Sequence, residues 1–164
     1  MLTLVTNGLL MKNFTIENAT AADLSQLFEI TKRTISATYK SFLPPAIVEE
    51  YITSGASNQE IERNLAHCFT LRNEHRIIGL GICIDNLIHF MLIDEDFQHR
   101  GFGKHLLHFL EQHIKANGFS EGQLETYAGN EQALGFYLSQ NWELTKKEMD
   151  AKLDIERLYF RKKF

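Results

Sequence analysis

Cysteine, proline and positive charge are all scarce in this chain. The 164 residues include 2 cysteines and 2 prolines, and the formal net charge is -4 at pH 7. Cys68 and Cys83 form no CxxC pair, so neither a disulfide framework nor a zinc site is expected, and both are interpreted as small buried hydrophobic residues. Without a broad positive field, binding to nucleic acid is not expected, and no apolar run approaches the length of a membrane span.

The first ten residues, MLTLVTNGLL, are apolar but lack the cationic start and the cleavage site of a signal peptide. A cytoplasmic protein without a membrane partner is therefore expected. Met11 directly precedes the first strand-like pattern. Residues 1–10 are accordingly interpreted as a dispensable extension or as the product of an upstream start, and residues 11–164 as a single domain without repeats or linkers.

The order of periodic patterns predicts the fold class. A short strand at Phe14 to Ile16 is followed by a helix behind a capping box at Thr20 to Asp23, a second helix from Pro45 and a third from Asn58 to His67. Three β-rich runs with short connections come next, which makes them antiparallel neighbours. The rest alternates helix with strand and closes with two strands. This order predicts an α/β fold whose mixed, mostly antiparallel sheet is covered by helices on both faces.

The stretch FQHRGFGKHLLHFLEQHI places two glycines at the start of an amphipathic helix. The first turn of a helix has backbone N–H groups without intrahelical partners and carries the positive end of the helix dipole. Gly101 and Gly103 let an anion approach these groups, and Arg100 and Lys104 add local positive charge. The opposite, polar face of the helix is predicted to comprise His105, His108, Glu111, Gln112 and Lys115.

Two phosphate-binding motifs share this chemistry but fail on spacing. A P-loop requires glycine and Ser/Thr where this chain has Gln98 and His105. A dinucleotide fingerprint requires a third glycine at the position of Leu106. The alternative to an anion site is a tight strand-to-helix turn with incidental cations.

The stretch LIDEDFQHRGFGKHLL resembles motif A of the GCN5-related N-acetyltransferase (GNAT) superfamily, in which a Gln/Arg-x-x-Gly-x-Gly/Ala turn opens a helix. Downstream, LETYAGNEQALGFYLSQNWE resembles motif B of the same superfamily. The two motifs stand in the correct order, and the resemblance covers nearly the whole chain from Met11 onward. The matching positions are Gln98, Gly101 and Gly103 in the first motif, and Asn130, Ala133, Phe136 and Tyr137 in the second.

The resemblance implies acetyl-CoA or a related acyl-CoA as the acyl donor. Its pyrophosphate would lie on the amides of Gln98 to Lys104. In this superfamily the fourth and fifth strands splay apart, so the pantetheine arm would pair with the run LIHFMLI near Leu92 and Ile93. The cofactor-binding residues implied in this way are Leu92, Ile93, Gln98, His99, Arg100, Gly101, Phe102, Gly103, Lys104, Asn130 and Tyr137.

The resemblance also implies that an amine attacks the thioester, with Tyr137 as the general acid for the leaving thiolate. A free alkyl amine is deprotonated in only about one molecule per thousand at neutral pH, so a base or a water relay is needed. His89 and Glu125 lie on the strands that flank the expected cleft and are the candidates for this role. Alternatively, each is an ordinary strand residue, and Tyr137 is a core aromatic of its helix.

The remaining titratable groups predict no metal site. His105 and His108 fall on the polar helix face and His113 at the edge of the apolar arc, which indicates a solvated surface. Carboxylates that precede the sheet would attract a cationic amine or form an ordinary charged surface; they are Glu49, Glu50 and Glu60.

The sequence therefore predicts an N-acetyltransferase that moves an acetyl group from acetyl-CoA to a primary amine by direct attack in a ternary complex. The amine belongs to a small molecule, a peptide N-terminus or a lysine. Two alternatives stay open: a non-catalytic acyl-CoA-binding or sensing module, and a nucleotide-binding interaction domain that uses the same glycine turn. The acceptor, the acyl-chain preference and a homodimeric state are not specified by the sequence.

Overall fold

The computed structural model describes residues 14–164, so the extension predicted at residues 1–10 lies outside the described residues. The strands are β1 (Phe14–Asn18), β2 (Cys68–Asn73), β3 (Arg76–Ile84), β4 (Leu87–Ile93), β5 (Glu121–Tyr127), β6 (Glu143–Asp150) and β7 (Ile155–Lys163). The helices are α1 (Leu24–Thr38), α2 (Pro45–Thr53), α3 (Ala56–Arg63), α4 (Phe102–Ala116) and α5 (Glu131–Ser139). Within residues 14–164, every helix is too short or too polar to span a lipid bilayer.

All seven strands form one sheet in the order β1-β2-β3-β4-β5-β7-β6. Every neighbouring pair is antiparallel except β4 and β5, which are parallel. The parallel pair is joined at only two positions, Leu87 with Gln123 and Ile88 with Leu124. Beyond Ile88 the two strands diverge, and among residues 14–164 no strand pairs with this edge of β4. The predicted mixed, mostly antiparallel sheet is confirmed.

Hydrophobic side chains cover both faces of this sheet. On one face, Leu106, Leu110 and Ile114 of α4 pack against the sheet together with residues of α5. On the other face, α1, α2 and α3 contribute a second cluster that includes Leu27 and Val48. The sheet is therefore covered by helices on both sides, as the pattern of the sequence predicted.

The first two helices begin where predicted, whereas the third begins earlier, at Ala56, and is shorter. The Asp23 carboxylate accepts a hydrogen bond from the Thr20 backbone N–H at 2.8 Å, and α1 follows this cap through one 3-10 turn. Pro45 occupies the first turn of α2, where its missing N–H costs no hydrogen bond. The third helix, predicted from Asn58 to His67, ends at Arg63 and is followed by a separate 3-10 turn at Leu65–His67.

The two cysteines are buried and free, as the sequence indicated. Burial raises the pKa of the Cys68 thiol to about 12 and that of the Cys83 thiol to about 11. Both thiols therefore stay protonated near neutral pH and lack the thiolate that nucleophilic chemistry requires.

The prediction that Glu111 lies on a solvated helix face is wrong. Glu111 is only 6% exposed, and its Oε1 accepts hydrogen bonds from Trp142 Nε1 and from Lys162 Nζ, each at 2.9 Å. Lys162 Nζ also donates to the Gln140 carbonyl at 2.9 Å. The carboxylate thus joins α4 to β7 and to the segment after α5, because the indole N–H of a buried tryptophan requires an acceptor.

We predict that Glu111→Ala lowers the free energy of unfolding by about 2–4 kcal/mol, because a buried indole N–H and an ammonium group lose their acceptor. Urea denaturation measures this loss. The matched control is Glu62→Ala, at an exposed position of α3, which should change stability by no more than about 0.5 kcal/mol. Equal losses in the two variants would contradict the structural role of Glu111.

Candidate active site

The turn before α4 presents a row of free amides. His99 and Gly101 adopt left-handed backbone conformations, with φ of 59° and 86°. Among the described residues, the N–H groups from His99 to Lys104 have no hydrogen-bond acceptor, and the first backbone bond of the helix runs from His105 N–H to the Gly101 carbonyl. A left-handed residue between right-handed ones turns successive N–H groups to the same side. The turn therefore offers the concave set of donors that an anion binds, at the positive end of α4.

The two glycines differ in backbone conformation and surroundings. Nothing lies within 4 Å of a Cβ built on Gly101, so its requirement is the positive φ and not space. A Cβ on Gly103 would lie 3.6 Å from Phe136 and 3.8 Å from Ile93, which are ordinary van der Waals distances, so the packing at Gly103 leaves room for a methyl group. Arg100 is exposed and lies over the Phe97 ring at 5.4 Å.

A cavity of about 570 Å³ begins at this turn and runs along β4 to Tyr137. We call it the turn cavity. The side chains of Arg100 and Phe102 do not line it, so these two residues can serve an anion only through their backbone amides. The implied cofactor-binding residues that line it are Leu92, Ile93, Gln98, His99, Gly101, Gly103, Lys104, Asn130 and Tyr137.

The unpaired edge of β4 is shifted by one residue from the expected position. The Asp94 N–H donates to the Ile78 carbonyl at 2.8 Å, and hydrogen-bonded pairs alternate along an antiparallel ladder. Leu92, opposite Leu80, therefore bonds to β3, and its amide is not available to a ligand. Met91, which the sequence analysis did not name, and Ile93 carry the backbone groups that face the opening.

Two glutamine side chains lie across this edge. Gln98 Nε2 donates to the Ile93 carbonyl at 2.9 Å, and Gln132 Nε2 of α5 donates to Gln98 Oε1 at 3.0 Å. This bridge satisfies one of the backbone groups that β5 leaves unpaired. A ligand that pairs with β4 at Ile93 has to replace the Gln98 contact.

A second cavity of about 400 Å³ lies on the side of α1 and α2. We call it the aromatic cavity because Tyr39, Phe42, Tyr51, Phe90 and Tyr127 line it. The two cavities meet, since they share lining residues. The shared residues are Tyr39, Met91, Asn130, Ala133 and Tyr137.

Tyr137 lies at the junction of the two cavities. It is 8% exposed, and its ring packs near Phe160, with 6.0 Å between centroids, and Trp142, with 6.4 Å. Burial raises the pKa of the Tyr137 hydroxyl to about 12. The hydroxyl is therefore protonated across the neutral range and is a hydrogen-bond donor to whatever occupies the junction.

Asn130 caps α5 and also faces both cavities. Its Oδ1 accepts from the Ala133 N–H at 3.3 Å, and its Nδ2 donates to Thr126 Oγ1 at 3.3 Å. These contacts make Asn130 the N-cap of α5.

The two base candidates both line the aromatic cavity, each with a charged partner. His89 Nε2 contacts the Glu60 carboxylate, which reaches β4 from α3. Glu125 Oε1 accepts from Arg157 Nη1 at 2.7 Å. Of the carboxylates noted before the sheet, Glu60 lines this cavity, whereas Glu49 and Glu50 are exposed and line neither cavity.

The histidines of α4 depart in part from the predicted solvated surface. His108 is exposed, but the His105 ring packs at 4.8 Å from Phe14 and the His113 ring at 4.8 Å from Phe69. Burial lowers the pKa of His105 and of His113. In the described part of the chain, no group of three potential ligands is placed to hold a metal ion.

Sequence reasoning missed the charge that holds the turn in place. Asp94 is fully buried, its carboxylate contacts Arg33 of α1 and accepts from Arg76 of β3 at 3.0 Å, and its other oxygen accepts from the Asp96 N–H at 3.2 Å. A signal was present, because an aspartate directly follows an apolar strand at the point where the turn begins. Its two arginine partners are remote in sequence and gave none.

The family model described as Acetyltransferase (GNAT) family matches residues 27–142. This chain belongs to the GNAT family. Both motifs that resembled the family lie almost entirely within the matched residues, as do the turn, the β4 edge and Tyr137.

Solved structures agree with the GNAT fold. The PaiA N-acetyltransferase of Thermoplasma acidophilum, in complex with coenzyme A, is 19% identical with a TM-score of 0.76, and the match covers 93% of this chain and 99% of that one. A GCN5-related N-acetyltransferase of Rhodopseudomonas palustris is 12% identical with a TM-score of 0.81, and the match covers 96% of this chain and 100% of that one. The ribosomal-protein-S18-alanine N-acetyltransferase of Escherichia coli is 18% identical with a TM-score of 0.69, and the match covers 90% of this chain and 92% of that one. A search among curated proteins found no match.

We predict that Gly101→Ala weakens binding of CoA to this GNAT protein by tenfold or more, because alanine disfavours a φ of 86° and the amides around it then diverge. Calorimetric titration with CoA measures this. Gly118→Ala is a close control, since Gly118 has a φ of 88° and open space around it, at the far end of the same helix.

Both variants should lose about 1–2 kcal/mol of stability from the strained backbone. Only Gly101→Ala should lose CoA affinity. An equal loss of affinity in both variants would mean that the amide turn is not the anion site.

Proposed function

We propose that this GNAT protein transfers the acetyl group of acetyl-CoA to the nitrogen of a primary amine, with donor and acceptor bound together. The observation that carries the proposal is the pair of cavities that meet at Tyr137: one starts at a row of free amides, and the other contains His89 and Glu125. The reacting carbon would lie at their junction. Two cavities that open on one hydroxyl fit a ternary complex better than a single binding site.

The turn cavity fits the donor. The free amides from His99 to Lys104 suit a diphosphate, and Lys104 adds a positive charge. The backbone groups of Met91 and Ile93 suit the amide groups of the pantetheine arm, which would take the place of a neighbouring strand. The solved structure of the Thermoplasma acidophilum protein contains CoA, which supports the same ligand for this chain.

The acceptor has to lose a proton before or during attack. An alkyl amine of pKa near 10.4 is almost fully protonated at pH 7.4, and removing the proton costs about 4 kcal/mol. Of the two candidates we assign His89 as the base, because its contact with Glu60 orients the ring. A carboxylate only accepts, so Nε2 carries the hydrogen and Nδ1 is left as the acceptor. Glu125 is already paired with Arg157.

In the proposed reaction His89 acts on the amine and Tyr137 acts on the leaving sulfur. The amine lone pair forms a bond to the thioester carbonyl carbon, and the bond from that carbon to sulfur breaks. His89 takes the proton of the amine, directly or through water, and Tyr137 donates a hydrogen bond to the sulfur as negative charge develops on it.

Tyr137 acts as a hydrogen-bond donor more than as a source of a free proton. Its pKa is about 12, and that of an ordinary thiol is near 8.5, so complete proton transfer to the thiolate would cost about 5 kcal/mol. The thiolate is a stable leaving group and takes its proton from solvent. The role of Tyr137, expected from the sequence to be a general acid, is therefore proposed to be hydrogen-bond donation to the leaving sulfur.

The experiment that tests the function is release of free thiol from acetyl-CoA in the presence of a panel of primary amines. We predict turnover with at least one amine and a loss on the order of 10²-fold in kcat for Tyr137→Phe. Because of its high pKa, the loss should be the same at pH 7 and at pH 9. Tyr159→Phe is the control, since Tyr159 lines neither cavity.

Tight CoA binding without thiol release from any amine would sink the enzymatic proposal and favour the acyl-CoA-binding module. A Tyr137→Phe variant with full activity would remove Tyr137 from the mechanism.

We further predict that Glu60→Gln lowers kcat about tenfold while the KM for acetyl-CoA is unchanged, because Glu60 touches His89 and not the turn cavity. Steady-state kinetics with varied acetyl-CoA measure both constants. Glu49→Gln makes the same chemical change at an exposed site outside the cavities and should leave both constants unchanged. A change in the KM for acetyl-CoA without a change in kcat would contradict the role of Glu60.

A further inference from the structure

We propose that the acceptor carries a second positive charge, and that the aromatic cavity selects small aliphatic diamines or polyamines. This inference rests on the proposed function, since it names the class of amine that the same site takes. One amine would reach the junction at Tyr137, and the other would stay charged among the carboxylates and aromatic rings of the cavity.

The charges of the aromatic cavity favour a cation. Its ionisable lining groups are the carboxylates of Glu60 and Glu125, the imidazole of His89 and the guanidinium of Arg157. Asp150 does not line the cavity, but it also accepts a hydrogen bond from Arg157, so two carboxylates, Glu125 and Asp150, hold this guanidinium. With His89 neutral, the summed formal charge of the lining residues Glu60, Glu125 and Arg157 is negative.

Arg157 is not free to bind an anionic acceptor. Its Nη1 donates to Glu125 at 2.7 Å, and its Nη2 donates to Asp150 at 2.6 Å and to the Tyr127 hydroxyl at 3.1 Å. The hydrogen bond from Arg157 lowers the pKa of Asp150, so that carboxylate stays charged. A carboxylate on the acceptor would have to compete with two carboxylates that already hold the guanidinium.

The aromatic walls suit a cation on an apolar chain. Aromatic faces attract ammonium and guanidinium groups, and the Arg157 guanidinium already lies over the Tyr127 ring at 5.3 Å. Tyr39 and Phe42 pack together at 5.0 Å between centroids, and Leu43 and Val48 add apolar surface for a methylene chain. An anion would meet the negative faces of the same rings.

The position of the cavity explains why the second charge would matter for the rate. The near amine must lose its charge at the junction, where Tyr137 is buried in apolar surroundings. A far ammonium that keeps its charge can supply binding energy without opposing this step. That energy holds the near nitrogen against the thioester, which raises the rate when it is realised in the transition state.

The test uses acceptors of equal length that differ only in the far group: 1,4-diaminobutane, butylamine and 4-aminobutanoate. With saturating acetyl-CoA, kcat/KM should be about tenfold higher for the diamine than for butylamine, and lowest for the aminobutanoate. Butylamine or 4-aminobutanoate equal to or better than the diamine would overturn the proposal.

A charge variant sharpens the test. Glu125→Gln removes one of the two carboxylates that hold Arg157, so the preference for diamine over 4-aminobutanoate should fall severalfold. Glu49→Gln, an exposed site on α2, should keep the preference of the unchanged protein. An unchanged preference in Glu125→Gln would remove these charges from acceptor selection.

Failure of this inference is distinguishable from failure of the proposed function. If no amine releases thiol, the transferase proposal fails, and the selectivity of the cavity is then read from binding. Calorimetric titration of the CoA-saturated protein should give tighter binding of 1,4-diaminobutane than of butylamine or 4-aminobutanoate. Equal or reversed affinities would overturn the inference whatever the outcome of the activity assay.

Discussion

The unpaired edge of β4 is the constraint on which the rest of this structure depends. β5 pairs with β7 at seven positions, from Glu121 to Tyr127, but with β4 at only two. The sheet is therefore closed at one end of the β4–β5 junction and open at the other. Backbone N–H and C=O groups away from water need partners, so this opening must hold a side chain, water or a ligand. The turn cavity lies along β4 because β4 and β5 diverge beyond Ile88.

The attraction for an anion at the turn comes from the backbone more than from side-chain charge. Arg33 and Arg76 lie beneath the turn, but both are held by the buried Asp94, and they lie 3.9 Å from Glu95 and Asp96 respectively. Their charges are matched by carboxylates and add little net field. Their effect is to fix the start of the turn between α1 and β3. In the proposed site the oriented amides and Lys104 supply the attraction for an anion, which agrees with a chain whose net charge is negative.

The glycine turn of the proposed donor site was predictable from sequence because its chemistry is carried by backbone and glycine. A diphosphate on amides needs a positive φ, and Gly101 signals it directly. The sequence did not predict which residues of β4 have backbone groups that face the opening. These groups alternate between the two edges of a strand, so a shift of one residue exchanges Leu92 for Met91. The helical pattern wrongly predicted an exposed Glu111. Its carboxylate is buried because it binds Trp142 and Lys162, which lie 31 and 51 residues away in the sequence. Hydrophobic periodicity does not register such a partner.

The proposed acceptor site gave the weakest signal in the sequence for a physical reason. It is assembled from side chains on several elements: Tyr39 after α1, Glu60 on α3, His89 on β4, Glu125 on β5 and Arg157 on β7. None of these positions needs an unusual backbone, so none stands out in a sequence. The larger energetic demand nevertheless lies here, because a thiolate leaves readily whereas an alkyl amine must give up a proton at a cost of about 4 kcal/mol. In the proposed reaction, specificity and rate are therefore decided together in the aromatic cavity, by residues that topology alone brings into contact.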